Sequence, residues 1–267
     1  MRVIETAHPP YFIKENIMKF ENTSVYNFEN AIRGMRLPMN SGDKSDSYYE
    51  KGTDPFSLEE WVAIEITIGN NDLDLMQRLI KAGTPHDKFM RQIFVSVDIT
   101  APLYLWKELD QYKVGTTTNS QSTMHKLATT PITIDCFETD DYEPDLIFEE
   151  GDDYCGDNPF HYTRDIGWVI GEREDNYYLE ETFISFLETL RKKYLETKDK
   201  RYWKELLRWL PESWLQTRTW TTNYEVLRNI VHQRQGHKLT EWQSFIDWTK
   251  TLPYAKELIF YEGERDE

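Results

Sequence analysis

The chain has only two cysteines in 267 residues, Cys136 and Cys155. No Cys-x-x-Cys pair and no Cys/His ligand spacing occurs, which excludes the usual structural zinc sites; no metal site is expected. No apolar run approaches the length of a membrane span, and the mean hydropathy is -0.70. The first residues, MRVIETAHPPYFIKENIMKF, lack a continuous apolar stretch with a small-residue cleavage site, so they do not read as a secretory signal. A reducing cytoplasm is the expected setting, with both thiols free, although the sequence leaves a Cys136–Cys155 pairing open.

Positive charge is also scarce. Lysine and arginine number 31 against 47 acidic residues, for a net charge of -16. Such a field repels nucleic-acid backbones and anionic membranes, so neither is an expected partner. It leaves room for a small phosphate site built on one or two local arginines. No GxxxxGK[ST] and no GxGxxG is present, so the chain carries neither a P-loop nor a dinucleotide fingerprint. No internal repeat of solenoid length occurs.

What is abundant is aromatic. Nine Trp and sixteen Tyr place the chain far from disordered compositions. Its length allows a sizeable core. Phe28, Ile32 and Met35 predict a short helix that runs into Pro38 and then a Gly/Ser/Asp loop expected to be mobile. Ser57-Leu-Glu-Glu60 forms a capping box and predicts a helix carrying Trp61 and Ile64. Asn71-Asp72 predicts the cap of a second helix with Leu75, Leu79 and Ile80 inward, ended by Gly83. IFVSVDI, Ile93 to Ile99, alternates as a half-buried strand. A helix starting at Pro102 would carry Leu105, Leu109 and Tyr112, and VGTTTNSQST after it reads as a loop or irregular strand.

Acidic residues crowd Asp135 to Asp157. The calcium-loop pattern is absent, and a solvated acidic insertion, spanning about 135–175, is favoured over a cation site. From about Tyr178 the chain reads as helical: Phe183, Ile184, Leu187 and Leu190 form one stripe, and Trp203, Leu206, Leu207 and Leu210 the next. Further helices are expected at about Thr222–Arg234 and Leu239–Leu252. With strands mainly in the middle, the layout is α+β.

Three places could carry chemistry. Gly115 and the hydroxyl-rich Thr116-Thr117-Thr118-Asn119-Ser120-Gln121-Ser122 suit phosphate or ribose oxygens. Asn223, Leu227, Ile230 and Arg234 fall on one helix face, with two polar residues bracketing an apolar pair. The alternative for that pair is an Asn near one helix end and an Arg suited to the other by the dipole. His232 and His237 could move protons, with Glu241 one turn beyond His237, but no nucleophilic triad is indicated.

Landmarks in this order resemble the flavin-dependent thymidylate synthase (ThyX) family. Leu79-Ile-Lys-Ala-Gly83, Pro85 and the following strand come first. Ala101-Pro102 and a helix lead to Gln111-Tyr112-Lys113, where the family has Arg-His-Arg, and to Thr117 through His125, where it has a Ser-x-Asn-Glu-x-Ser-x-Arg-Tyr loop. Leu210-Pro211, Asn223, Leu227 and Arg234 complete the set, with His237 and Glu241 beyond.

The resemblance implies a single ThyX-like domain over residues 1–267, of α+β class, with a central mixed or antiparallel sheet, flanking helices and a helical C-terminal part. It implies reductive methylation of dUMP, or a related pyrimidine nucleotide, at C5. Reduced FAD would serve as cofactor, with NADPH and methylenetetrahydrofolate as co-substrates, in a homotetramer. By the same resemblance Arg234 would be catalytic, polarising the base, and would bind substrate with Gln111, Ser120 and Ser122. Lys113, Asn119, Asn223 and His237 would bind flavin. The chain departs from the pattern where Glu225 and Met124 replace arginines and Ser120 replaces a glutamate. Losing arginine forks weakens phosphate binding, so the alternative is a non-catalytic nucleotide-binding or interaction protein. Arg91, Lys107, Lys126, Arg218 and Arg228 are the candidates to compensate.

Overall fold

The computed structural model describes residues 18–52, 62–122, 127–139, 160–163, 167–170 and 178–262. The capping box at Ser57–Glu60, Trp61, Met124, His125, Lys126, Cys155 and most of the acidic stretch lie outside them.

In chain order the elements are β1 (Lys19–Tyr26), α1 (Phe28–Arg36), β2 (Tyr48–Gly52), β3 (Val62–Thr67), α2 (Asn70–Ala82), β4 (Phe94–Pro102), α3 (Leu103–Leu109) and β5 (Thr117–Ser120). They continue with β6 (Phe160–Thr163), β7 (Gly167–Ile170), α4 (Tyr178–Thr197), α5 (Lys200–Arg208), β8 (Leu215–Asn223), α6 (Tyr224–Arg234), α7 (Thr240–Lys250) and α8 (Ala255–Leu258). A four-stranded sheet has the order β1-β4-β8-β5, and β2-β3 and β6-β7 are two-stranded antiparallel sheets. The expected α+β class is what the chain adopts.

Contacts divide the chain into two compact units. The first comprises Met18–Ile99, Lys107–Ser120 and the chain from Arg218. Its core follows the periodicities read above: Val95, Val97 and Ile99 alternate inward from β4, while Leu227, Ile230 and Val231 face inward from α6. Trp220, Trp242 and Phe245 pack edge to face, with Trp220 and Trp242 each within 6 Å of Phe245.

Inside this unit a buried carboxylate organises a loop. Asp72 Oδ2 accepts hydrogen bonds from Ser45 Oγ (2.7 Å), Ser47 Oγ (2.6 Å) and the backbone N–H of Asp46 and Ser47 (both 3.1 Å). Its Oδ1 accepts from Arg36 Nε at 2.5 Å, and neither partner is more than 5% exposed. Burial alone would raise the Asp72 pKa, but the hydrogen bonds from Ser47, Ser45 and Arg36 outweigh it and hold the group below its ordinary value. The Gly/Ser/Asp loop expected to be mobile is therefore tied to α1 and α2 by the hydrogen bonds that Asp72 accepts.

The cap of α2 also differs from expectation. Gly69, not Asn71-Asp72, is the N-cap residue, and its helix N–H groups are met from a distance. Asp46 accepts from Asn71 N (2.9 Å) and Asp72 N (3.1 Å), which places a negative charge at the positive helix end. A Cβ on Gly69 would lie 2.2 Å from Asp46 Cγ, so only glycine allows this approach. Gly83 ends α2 as expected, with φ 86°.

Three further expectations are corrected. Ile64 lies in strand β3, not a helix, and pairs in the hairpin with β2. Strands are not confined to the middle, because β1 starts at Lys19. The part beyond Tyr178 is not helical throughout, because β8 runs from Leu215 to Asn223 inside the main sheet. Its sequence LQTRTWTTN is a β-branched run around Trp220, which favours a strand over the helices on either side.

The second unit holds Thr100–Trp106 and Gln121–Thr217. Its core gathers Leu127, Ile132, Phe137, Leu187, Leu190 and Leu206, with the expected Phe183, Ile184 and Leu207 packed against it. Glu188 accepts from Arg191 twice at 2.6 Å and from the Ile132 backbone N–H at 3.0 Å. Cys136 is a free, half-buried thiol.

Candidate functional site

Of the residues singled out in the sequence, Arg234 meets His237 and Asn223 meets Gly115, both within the first unit, where the end of α3, the turn before β5, and α6 with its following loop meet. Arg234 is the last residue of α6 and its side chain is 20% exposed. Its Nε donates to Tyr112 Oη at 3.0 Å, and Nη1 lies 3.0 Å from Glu108 Oε2 and 3.2 Å from His237 Nε2. The guanidinium carbon sits 4.5 Å from the Trp242 ring centroid and 5.8 Å from that of Tyr112. Trp242 Nε1–H donates to the same Glu108 oxygen at 2.9 Å. The cation is therefore neutralised from one side and flanked by aromatic rings.

Asn223 is buried and is the N-cap of α6, its Oδ1 accepting from Val226 N at 3.1 Å. Its Nδ2 donates to Gly115 O at 3.4 Å. Gly115 has φ 78°, and a Cβ there would lie 2.7 Å from Asn223 Nδ2, so the close approach that glycine permits is made by the Asn223 amide. Asn223 thus joins the α6 terminus to the turn before β5. Thr116 Oγ1 donates to Tyr112 O and closes the same turn.

The strand β5 pairs antiparallel with β8, setting Asn119 opposite Thr219 and Ser120 opposite Arg218. Both Asn119 and Ser120 are exposed. Arg218 reaches Asp110 at 3.0 and 3.1 Å from one nitrogen. Thr219 donates to Asp98 Oδ1 at 2.6 Å, and this bond together with one from Asn22 lowers the Asp98 pKa.

Gln111 turns its amide back onto Lys107 O at 3.1 Å, and Lys113 is exposed. His237 is exposed; its Nδ1 accepts from Leu239 N at 3.2 Å, which puts the proton of a neutral ring on Nε2, so the 3.2 Å approach to Arg234 Nη1 sets two donors together and is not a hydrogen bond. Ser122 is half-buried and belongs to the second unit. His232 is exposed on α6.

Glu225, standing where the resemblance has an arginine, is 12% exposed and lies 3.6 Å from Arg91. Burial, then the negative charge of Asp87, pushes its pKa up. Glu225 Oε2 and Asp87 Oδ1 are buried without hydrogen-bond partners among the described residues. Arg228 gives its Nη1 to the carbonyls of Leu258 and Ile259 at 3.2 and 2.8 Å. Glu108 and Trp242 carried no signal in the sequence. Each is an ordinary helix residue until folding sets it against Arg234.

No family model matches the sequence, and no curated protein matches it. Solved structures do match across nearly the whole chain. Thymidylate synthase X from Helicobacter pylori with FAD and dUMP superimposes with a TM-score of 0.53 at 16% identity, covering 91% of this chain and 95% of that one. A second structure of the flavin-dependent enzyme ThyX from Helicobacter pylori, complexed with FAD and dUMP, gives 0.55 at 17%, covering 92% and 97%. The UMP/dUMP methylase PolB from Streptomyces cacaoi, bound with 5-Br dUMP, gives 0.52 at 13%, covering 91% and 93%. The chain has the ThyX-like fold. Among the described residues no helix is long and apolar enough to cross a membrane.

Proposed function

We propose that this chain binds a pyrimidine nucleotide, with Arg234 set against the base. The observation that carries this reading is Arg234 itself. It is a half-exposed guanidinium held by Tyr112, Glu108 and Trp242, and so offers an oriented donor edge to a planar polar ligand. Asn119 and Ser120 on β5, with Lys113 in the turn before it, would supply ribose and phosphate contacts. The fold, shared with proteins whose structures contain dUMP or 5-Br dUMP, supports the same reading.

A flavin dinucleotide held through its phosphates does not fit the residues present. Gln111 is bonded to its own helix, the Asn223 amide is bonded at both ends, and a partly buried carboxyl, Glu225, occupies an arginine position. Reductive methylation at C5 with FAD, NADPH and methylenetetrahydrofolate, in a tetramer, is the second reading. It rests on the fold shared with ThyX structures that contain FAD and dUMP.

The test is calorimetric titration of dUMP into the purified protein and into Arg234→Ala. Loss of a charge-assisted contact of about 1.5–3 kcal/mol should weaken binding roughly ten- to a hundredfold. Equal affinity in the two proteins would remove Arg234 from the site. Flavin absorbance that co-purifies at one FAD per chain would restore the methylase reading.

A further inference from the structure

A cleft of about 400 Å3 opens in the first unit between α1, the Ser41–Ser47 loop and the β2-β3 hairpin. It shares no residue with the group around Arg234. Its lining includes Arg33, Arg36, Tyr48, Tyr49 and Glu29, with Ile32 and Ile66 at its apolar side. The size is that of a small-molecule site, and the mixture of apolar wall and few polar groups is typical of one.

The chemistry of the lining is specific. Arg36 is 4% exposed, and three sides of its guanidinium are not equivalent. Nε is bonded to Asp72 and Nη1 to Ser41 O at 3.3 Å, while Nη2 has no hydrogen-bond partner among the described residues. A buried cationic donor without an acceptor among the described residues is uncommon, and a bound anion would satisfy it. Arg33 stands one turn earlier on the same helix face, exposed, and bonded at Nη2 only to Asn30 Oδ1 at 2.8 Å. Against these two cations the lining sets one carboxylate, Glu29, in a chain whose net charge is -16. Tyr48 and Tyr49 are 56% and 39% exposed, which leaves ring surface for a planar group.

We propose that this cleft is a second ligand site that takes a small molecule carrying a phosphate or carboxylate on a planar body. The anion bonds Arg33 and the Nη2 side of Arg36, and the planar body lies on Tyr49, whose cross-strand partner Ile66 lines the same cleft. Asp72 fixes Arg36 from behind and so orients the donors before the ligand arrives.

Phenyl phosphate, benzoate and inorganic phosphate, each titrated into the full chain by calorimetry, test the assignment. Saturable binding of phenyl phosphate or benzoate is expected, and the tighter of the two identifies the anionic group. Arg33→Ala, at an exposed position that leaves the fold intact, should weaken it at least tenfold. Tyr49→Ala should weaken phenyl phosphate more than inorganic phosphate, and Arg234→Ala should leave both unchanged. Absence of saturation at low millimolar concentration, or sensitivity to Arg234→Ala without sensitivity to Arg33→Ala, overturns the proposal. dUMP also carries a phosphate on a planar base, so its titration is repeated in Arg33→Ala: affinity lost there belongs to this cleft, and affinity lost in Arg234→Ala to the other group.

Discussion

Arg36 and Arg234 each lie against a carboxylate, yet the two regions are built for different ends. Around Arg36 the partner Asp72 is fully buried and collects donors from Ser45, Asp46, Ser47 and Arg36, so one carboxylate holds two helices and a loop. Around Arg234 the partner Glu108 is 32% exposed and the guanidinium 20%, and the neighbours are aromatic rings and a histidine. A buried pair is costly to break because the survivor has no water to turn to. A half-exposed pair can exchange one partner for a ligand at little cost. The first pair is locked into the fold, with one donor of Arg36 left over, and the second is open to exchange.

The largest expected effect breaks the first region. Asp72→Ala leaves Arg36 buried beside an uncompensated space and should destabilise the protein by about 3–5 kcal/mol in urea unfolding. A smaller loss would mean that the loop re-forms without its anchor. The same carboxylate gives a pH signature. Its folded pKa lies below the unfolded value, so its contribution is complete above the ordinary 3.8 and fades as pH falls through the folded value.

Asn223→Ala should come next, at roughly 0.5–2 kcal/mol, because it removes the α6 cap and the tie to Gly115 together. If nucleotide affinity falls while stability does not, Asn223 acts on the ligand directly. Glu108→Gln should sharpen the comparison from the other side. Removing the negative charge beside Arg234 while keeping its shape should tighten dUMP binding several-fold, on the order of 1 kcal/mol. Weaker binding would show that Glu108 orients the guanidinium more than it competes for it.

The smallest effect should be that of Glu225→Gln, and its sign is informative. A carboxyl whose folded pKa is raised above its unfolded value binds its proton more tightly when folded. Its favourable contribution is complete below the ordinary 4.5 and is lost as pH rises through the folded value. Glu225→Gln should therefore raise the melting temperature at pH 8 relative to wild type, with little difference at pH 4. Equal shifts at both pH values would show that Glu225 stays ionised.

Local pattern carried much of the fold. The alternation of Val95, Val97 and Ile99 marked β4, the four-step spacing of Leu187 from Phe183 marked α4, and Gly83 marked a helix end. Where it failed, a short-range signal competed with a long-range one. The stretch with Ile64 reads as helical by itself but pairs with Tyr48–Gly52 as a hairpin. The Thr-rich β8 is flanked by helices and gains its partners from β4 and β5, far away in sequence.

The candidate site shows the same division. Composition by itself set the acidic field, the aromatic core and the lack of zinc or P-loop motifs. Leu227 and Ile230 share the buried face of α6 by helix geometry alone, whereas Asn223, expected on that face, is extended and ends β8 just ahead of the helix. Tertiary structure decided what those residues touch. It turned Asn223 into a cap that also binds Gly115, and set Glu108 and Trp242 on Arg234. It also gave Asp72 the loop that the sequence leaves unanchored. The reason is range: periodicity is fixed by the backbone within a few residues, whereas a charge or hydrogen-bond donor has no partner until distant segments are brought within about 3 Å.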